Sequence, residues 1–124
     1  MKKLFISCPM KGRTEENIRK SMKKMHKLAE IMFGEELEVI PSYIEDSPPQ
    51  DTREAIWYLG RSIQFMSKAD YFIGVEYSDF NGCSVERTVA SRYGIKSYLI
   101  DSRLIAPDMY NDPQPEMAVA MPNG

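Results

Sequence analysis

Tyr71-Phe72-Ile73-Gly74-Val75 leads, through a short polar stretch, into Asp79-Phe80-Asn81-Gly82-Cys83-Ser84-Val85-Glu86-Arg87. The first run is apolar throughout instead of alternating, the pattern of a strand covered on both faces in a parallel sheet. The second is a glycine-bearing loop that opens into a helix. In an open parallel sheet, loops of this kind lie at the carboxyl ends of the strands, where ligands bind. The spacing predicts Glu86 in the first turn of the helix, facing that crevice and held anionic by the helix dipole.

The same alternation extends in both directions. Leu4-Phe5-Ile6-Ser7-Cys8 reads as a first buried strand, followed by the loop Pro9 to Arg13. Thr14, Glu15 and Glu16 supply a capping hydroxyl and two acids to a helix start. Ile18, Met22, Met25, Leu28, Ala29 and Met32 then recur at helical spacing until Gly34 stops the helix. Leu37 to Ile40 is a second strand, ending at Pro41-Ser42-Tyr43. A helix is expected from Ala55 to Met66, with Ile56, Leu59, Ile63 and Met66 on one side. The Glu86 helix runs to about Tyr93, Gly94 ends it, and Lys96 to Ile100 forms a fourth strand.

Strand and helix alternating in this way predict an α/β domain. The expected form is a flavodoxin-like or Rossmann-like three-layer sandwich with a mostly parallel sheet of four to five strands. The domain covers residues 1–105. Residues 106–124 carry Pro107, Pro113, Pro115 and Pro122 without a period, and form a tail from which any fifth strand would come.

Composition narrows the function classes. The chain has 124 residues, 43% of them hydrophobic and 27% charged, with a formal charge of −2. That charge gives no electrostatic reason to expect a nucleic-acid polymer or an anionic membrane as partner. No apolar run has the length of a membrane span and the start lacks a signal-peptide pattern, so a cytoplasmic protein is expected. Cys8 and Cys83 then read as reduced thiols. His26 sits beside the apolar stripe of its helix as a packing residue, and no ligand cluster suggests a metal. No cofactor is implied.

Three loops are expected to converge at the carboxyl end of the sheet: Cys8 to Arg13, Pro41 to Tyr43, and Ser78 to Glu86. In the first, Gly12 lets the backbone approach a ligand, while Lys11, Arg13 and the following helix N-terminus suit a phosphate or sugar hydroxyls. The glycine spacing is not that of a P-loop, and the loop lacks the hydroxyls a flavin phosphate calls for.

Taken together, these motifs resemble the nucleoside 2-deoxyribosyltransferase-like family, including its deoxynucleotide N-glycosidase relatives. The resemblance rests on the Cys8-Pro9-Met10-Lys11-Gly12-Arg13 loop after a strand and on Ala69-Asp70-Tyr71-Phe72-Ile73. It continues through Gly82-Cys83-Ser84-Val85-Glu86 and the strand from Lys96, so that it covers about residues 3 to 100. It implies an enzyme that cleaves or transfers the N-glycosidic bond of a 2′-deoxyribonucleoside or its 5′-monophosphate. Glu86 would be the nucleophile, forming a glycosyl ester that water or a second base resolves. Cys8, Met10, Gly12 and Arg13 from the first loop, Tyr43 from the second, and Asn81, Gly82 and Ser84 from the third would contact the ligand. The Gly12-Arg13 pair favours the phosphorylated substrate. The resemblance also implies a homo-oligomer.

Two positions depart from the family pattern. Ser62 stands where the family carries an aspartate on the preceding helix, and a hydroxyl cannot hold a proton for the departing base as a carboxyl can. Phe80 stands where transferases carry a sugar-orienting aspartate. Asp51, Glu54 and Asp79 are the acids that could substitute. The alternative to an enzyme is a nucleotide-binding module that keeps the pocket and has lost the catalysis.

Overall fold

The computed structural model describes residues 1–76 and 81–105. Asp79, Phe80, the proposed tail and any fifth strand lie outside the described residues. Within them the order is β1 (Lys2–Ile6), α1 (Glu15–Phe33), β2 (Leu37–Val39), α2 (Glu54–Met66), β3 (Tyr71–Glu76), α3 (Asn81–Arg92) and β4 (Lys96–Asp101). The boundaries follow the local chemistry. The Thr14 hydroxyl accepts from the Asn17 N–H at 3.1 Å to cap α1, and Gly34 ends it at φ 77°, donating its N–H to the Glu30 carbonyl.

The four strands form one parallel sheet in the order β2-β1-β3-β4. Leu4 pairs with Val39, Ile6 with Ile73, and Val75 with Ile100. Strand alternation divides the buried residues between two faces. Leu4, Ile6, Ile73, Val75 and Ile100 belong to the core that Met25 and Ala29 of α1 complete. Phe5 and Phe72, stacked with ring centroids 5.9 Å apart, belong to a second core with Met66 of α2 and Ala90 of α3. Helices therefore cover both faces, giving the α/β flavodoxin-like three-layer arrangement that the sequence predicts.

Gly74 shows how closely this second face is packed. A Cβ there would lie 2.7 Å from Cε1 of Phe72, so the phenyl ring occupies the space a larger residue would need. Of the expected α1 stripe, Met25 and Ala29 are buried, Ile18, Met22 and Leu28 pack at its edge, and Met32 is partly exposed.

From β1 the chain moves outward to β2 and then returns past β1 to β3. The direction of winding changes between β1 and β3, which opens a crevice beyond their carboxyl ends. At the far edge, β4 runs into a short 3-10 turn over Ser102–Leu104. Arg103 donates to the Asp101 carboxylate from both its backbone and its side chain, and these bonds hold the Asp101 carboxyl down to about 2. The turn brings Leu104 and Ile105 back to α1, where Lys24 Nζ donates to the Leu104 carbonyl at 2.7 Å. No described helix is long and apolar enough to cross a membrane.

Candidate active site

A cavity of about 250 Å³ lies at the switch point between β1 and β3. Its floor is Phe5 and Ile6 of β1; Cys8, Met10 and Lys11 of the first loop form one wall. Ala55, Tyr58, Leu59 and Ser62 of α2 face Gly82, Cys83 and Glu86 of α3, and Ser42 closes the side. The lining is mostly apolar with a few polar groups, the usual make-up of a small-molecule site, although its volume lies just below the roughly 300–1,000 Å³ typical of one.

Among the described lining residues Glu86 is the one acid. It is the sixth residue of α3, and the first turn holds no acidic residue. This corrects the sequence expectation. The dipole effect fades beyond the first turn, so something else must support the carboxylate. Ser7 Oγ donates to Glu86 Oε1 at 2.6 Å, and the Ser62 hydroxyl bonds the same carboxylate. Burial nevertheless dominates and pushes the Glu86 carboxyl above its ordinary value, with the two hydroxyls pulling in the other direction.

Neighbouring contacts fix this arrangement. The Ser7 N–H continues the β1–β3 ladder, donating to the Ile73 carbonyl at 2.9 Å. Ser7 is 2% exposed and, two residues after Phe5, projects from the same face of β1, toward α2 and α3. Arg87 Nη1 donates to the Val75 carbonyl at 2.8 Å, tying the second turn of α3 to the end of β3. Glu86 is therefore held between a strand-borne hydroxyl, a helix-borne hydroxyl and a helix pinned at its neighbour.

Compared with known proteins, the chain matches no family model, no curated protein and no solved structure. The site must be judged on its own chemistry.

Of the expected ligand residues, Cys8, Met10 and Gly82 line the cavity with Glu86. Gly12, Arg13, Tyr43, Asn81 and Ser84 are not part of its lining. Tyr43 is 80% exposed, and its neighbour Ser42 enters the cavity in its place. Arg13 turns inward: Nη1 donates to the Pro9 carbonyl at 2.8 Å, and Nη2 to Ser21 Oγ at 2.5 Å and the Ile105 carbonyl at 3.3 Å. Ser21 Oγ also donates to the Ile105 carbonyl. Arg13 thus fastens the first loop to α1 and to the end of the 3-10 turn that follows β4.

Ser7, Ser42, Tyr58, Leu59 and Cys83 enter the site without having been singled out for it from sequence, whereas Lys11, expected to suit a ligand phosphate or sugar hydroxyls, does line the cavity. Ser7 carried a readable signal, as a polar residue continuing an otherwise apolar strand on the face of Phe5. Asp51 and Glu54, offered as replacements for the missing family aspartate, are exposed and outside the lining. His26 Nε2 lies 2.8 Å from the Leu37 carbonyl, joining α1 to β2 far from the cavity. Among the described residues, no three His, Cys, Asp or Glu side chains are grouped as metal ligands.

Proposed function

We propose that the protein cleaves or transfers the N-glycosidic bond of a 2′-deoxyribonucleoside or its 5′-monophosphate, with Glu86 as nucleophile. The observation that carries this reading is the position of Glu86. Its carboxylate lines a cavity of about 250 Å³ at the sheet's switch point while Ser7 and Ser62 hydrogen-bond it. One carboxylate oxygen attacks the anomeric carbon as the bond to the base breaks. The base leaves with the bonding electron pair and takes up a proton from water, and a glycosyl ester on Glu86 remains. Water or a second base then displaces Glu86 and regenerates the carboxylate. Two lower barriers replace one high one.

Burial supports this chemistry in one respect and opposes it in another. A carboxylate with few waters is a stronger nucleophile, but a raised carboxyl is less readily ionised. The apolar wall of Met10, Tyr58 and Leu59 offers a surface against which a flat base can rest.

A second reading has its own observation in favour. Ser62, at the place of the family's acid, bonds Glu86, and no acidic side chain besides Glu86 lines the cavity among the described residues. A module that binds nucleotides without cleaving them would need no acid there. The second copy implied by the family resemblance would find an apolar surface on α2, whose Ile56 is 64% exposed and which fully buries only Met66.

Purified protein incubated with the common 2′-deoxyribonucleosides and their 5′-monophosphates should release free base. Glu86→Gln should abolish release while unfolding at no lower temperature than the wild type. Its neutral amide removes an ionised group that burial penalises. Binding without release by the wild type would move the assignment to the binding module.

A further inference from the structure

Two of the residues that wall the cavity are thiols: Cys8, two residues beyond β1, and Cys83, in the first turn of α3. Both are 6% exposed, and both belong to one buried apolar cluster. The contacts around them hold the two segments together. Ser7, the neighbour of Cys8, donates to Glu86 at 2.6 Å, and Cys83 stands three residues before Glu86 on the same side of the helix. One hydrogen bond thus draws the strand end that carries the first thiol against the helix face that carries the second.

Each sulfur also meets positive charge. Arg13 Nη1 lies 3.7 Å from Cys8 Sγ while donating to the Pro9 carbonyl at 2.8 Å, so a backbone group keeps the guanidinium in place. Cys83 is the third residue of α3, within the turn whose N–H groups form the positive end of the helix dipole. Positive charge beside a sulfur stabilises the thiolate, which is the attacking form. The cavity itself is the route by which a small reagent reaches both sulfurs.

We propose that Cys8 and Cys83 are a site of reversible oxidation by a small peroxide, and that the disulfide they form shuts the cavity over Glu86. This holds whatever ligand the cavity takes. The Cys8 thiolate attacks one oxygen of hydrogen peroxide, the O–O bond breaks, and the departing hydroxide takes up a proton as water. Cys8 is then a sulfenic acid. The Cys83 thiolate attacks that sulfur, the S–O bond breaks, and a second hydroxide leaves as water. Two thiols have lost two electrons, and the peroxide has been reduced to two waters. A dithiol reductant reverses the change. The bond requires Cα atoms within roughly 7 Å of each other, so it holds the wall formed by the first loop against α3 beside Glu86.

The test treats the purified, reduced protein with hydrogen peroxide and reads the products by mass spectrometry. The wild type should lose two hydrogens and yield one linked peptide pair joining Cys8 to Cys83 within a single chain. Cys83→Ser should stop at a sulfenic acid on Cys8, trapped as its dimedone adduct. A water-soluble carbodiimide with an added amine then reports access to Glu86. Its labelling should be lost in the bridged protein and return with dithiothreitol. Sulfinic acids without a bridge, or bridges between chains, overturn the pairing. A missing dimedone adduct in Cys83→Ser overturns Cys8 as the attacking sulfur. Equal labelling of Glu86 in both redox forms, or labelling in neither, overturns the closing of the cavity.

Discussion

Replacing Ser7 with alanine isolates the support of the Glu86 carboxylate. The substitution deletes one oxygen at a 2%-exposed position and leaves the backbone bond to Ile73 in place. What disappears is the 2.6 Å hydrogen bond to Oε1. A bond to an ionised carboxylate is worth about 1.5–3 kcal/mol, and one between neutral partners about 0.5–1.5 kcal/mol. The cost should therefore depend on pH, and the direction follows from the carboxyl's shift.

Glu86 is raised above its ordinary value in the folded protein. Its favourable contribution is fully present below the unfolded value and is lost as pH rises through the folded one. Ser7 is one of the groups that pull the folded value down, so removing it moves that value further up. Ser7→Ala must then lose more stability at neutral pH than in acid. We expect a loss of about 2 kcal/mol near pH 7.5, shrinking by roughly 1 kcal/mol toward pH 4. For a domain of this size the neutral-pH loss corresponds to a fall in Tm of about 8 °C. Urea unfolding of wild type and variant side by side at each pH cancels every other titrating group. A difference that stays constant across the range, or grows in acid, would refute the argument that Ser7 acts on the charged form of Glu86.

Gly74→Ala should destabilise the protein by about 1–3 kcal/mol. The new methyl would meet Phe72 at 2.7 Å, and the Phe72 ring is backed by Phe5. Thermal unfolding at neutral pH measures this, and an unchanged Tm would mean that the stacked rings can move aside. Sedimentation should show an assembly larger than one chain, and Ile56→Glu should shift it toward the monomer because the charge falls on the exposed apolar side of α2. A wild-type protein that sediments as a single chain removes the oligomer from the proposal.

The layered fold was legible because its signals are local. Apolar runs without alternation marked β1 and β3, the Thr14 cap and Gly34 marked the ends of α1, and Gly94 stopped the chain after α3 at φ 76°. The site was legible only in part. Glu86, Cys8, Met10 and Gly82 follow from the rule that places ligands beyond strand ends. Tyr43 and Ser42 are neighbours, and in irregular chain after Pro41 no period decides which of them turns inward. Arg13 looked available for a ligand because its acceptors on Ser21 and Ile105 come from elements that only the tertiary structure brings beside it. Glu86 lies one helical turn later than the sequence suggests because Ser78, Asp79 and Asn81 are all acceptable caps, and composition does not choose among them.

The bond from Arg13 to Ile105 joins residues 92 positions apart. A ribosome makes the loop from Cys8 to Arg13 well before the carbonyl that secures it, which follows only after the whole sheet has been synthesised. The nascent chain can lay down β1 to β3 and still have this loop unsecured. The loop is therefore secured only when β4 and the turn behind it have docked on α1, and shortening the protein to its four strands would remove the fastening while sparing the strands themselves.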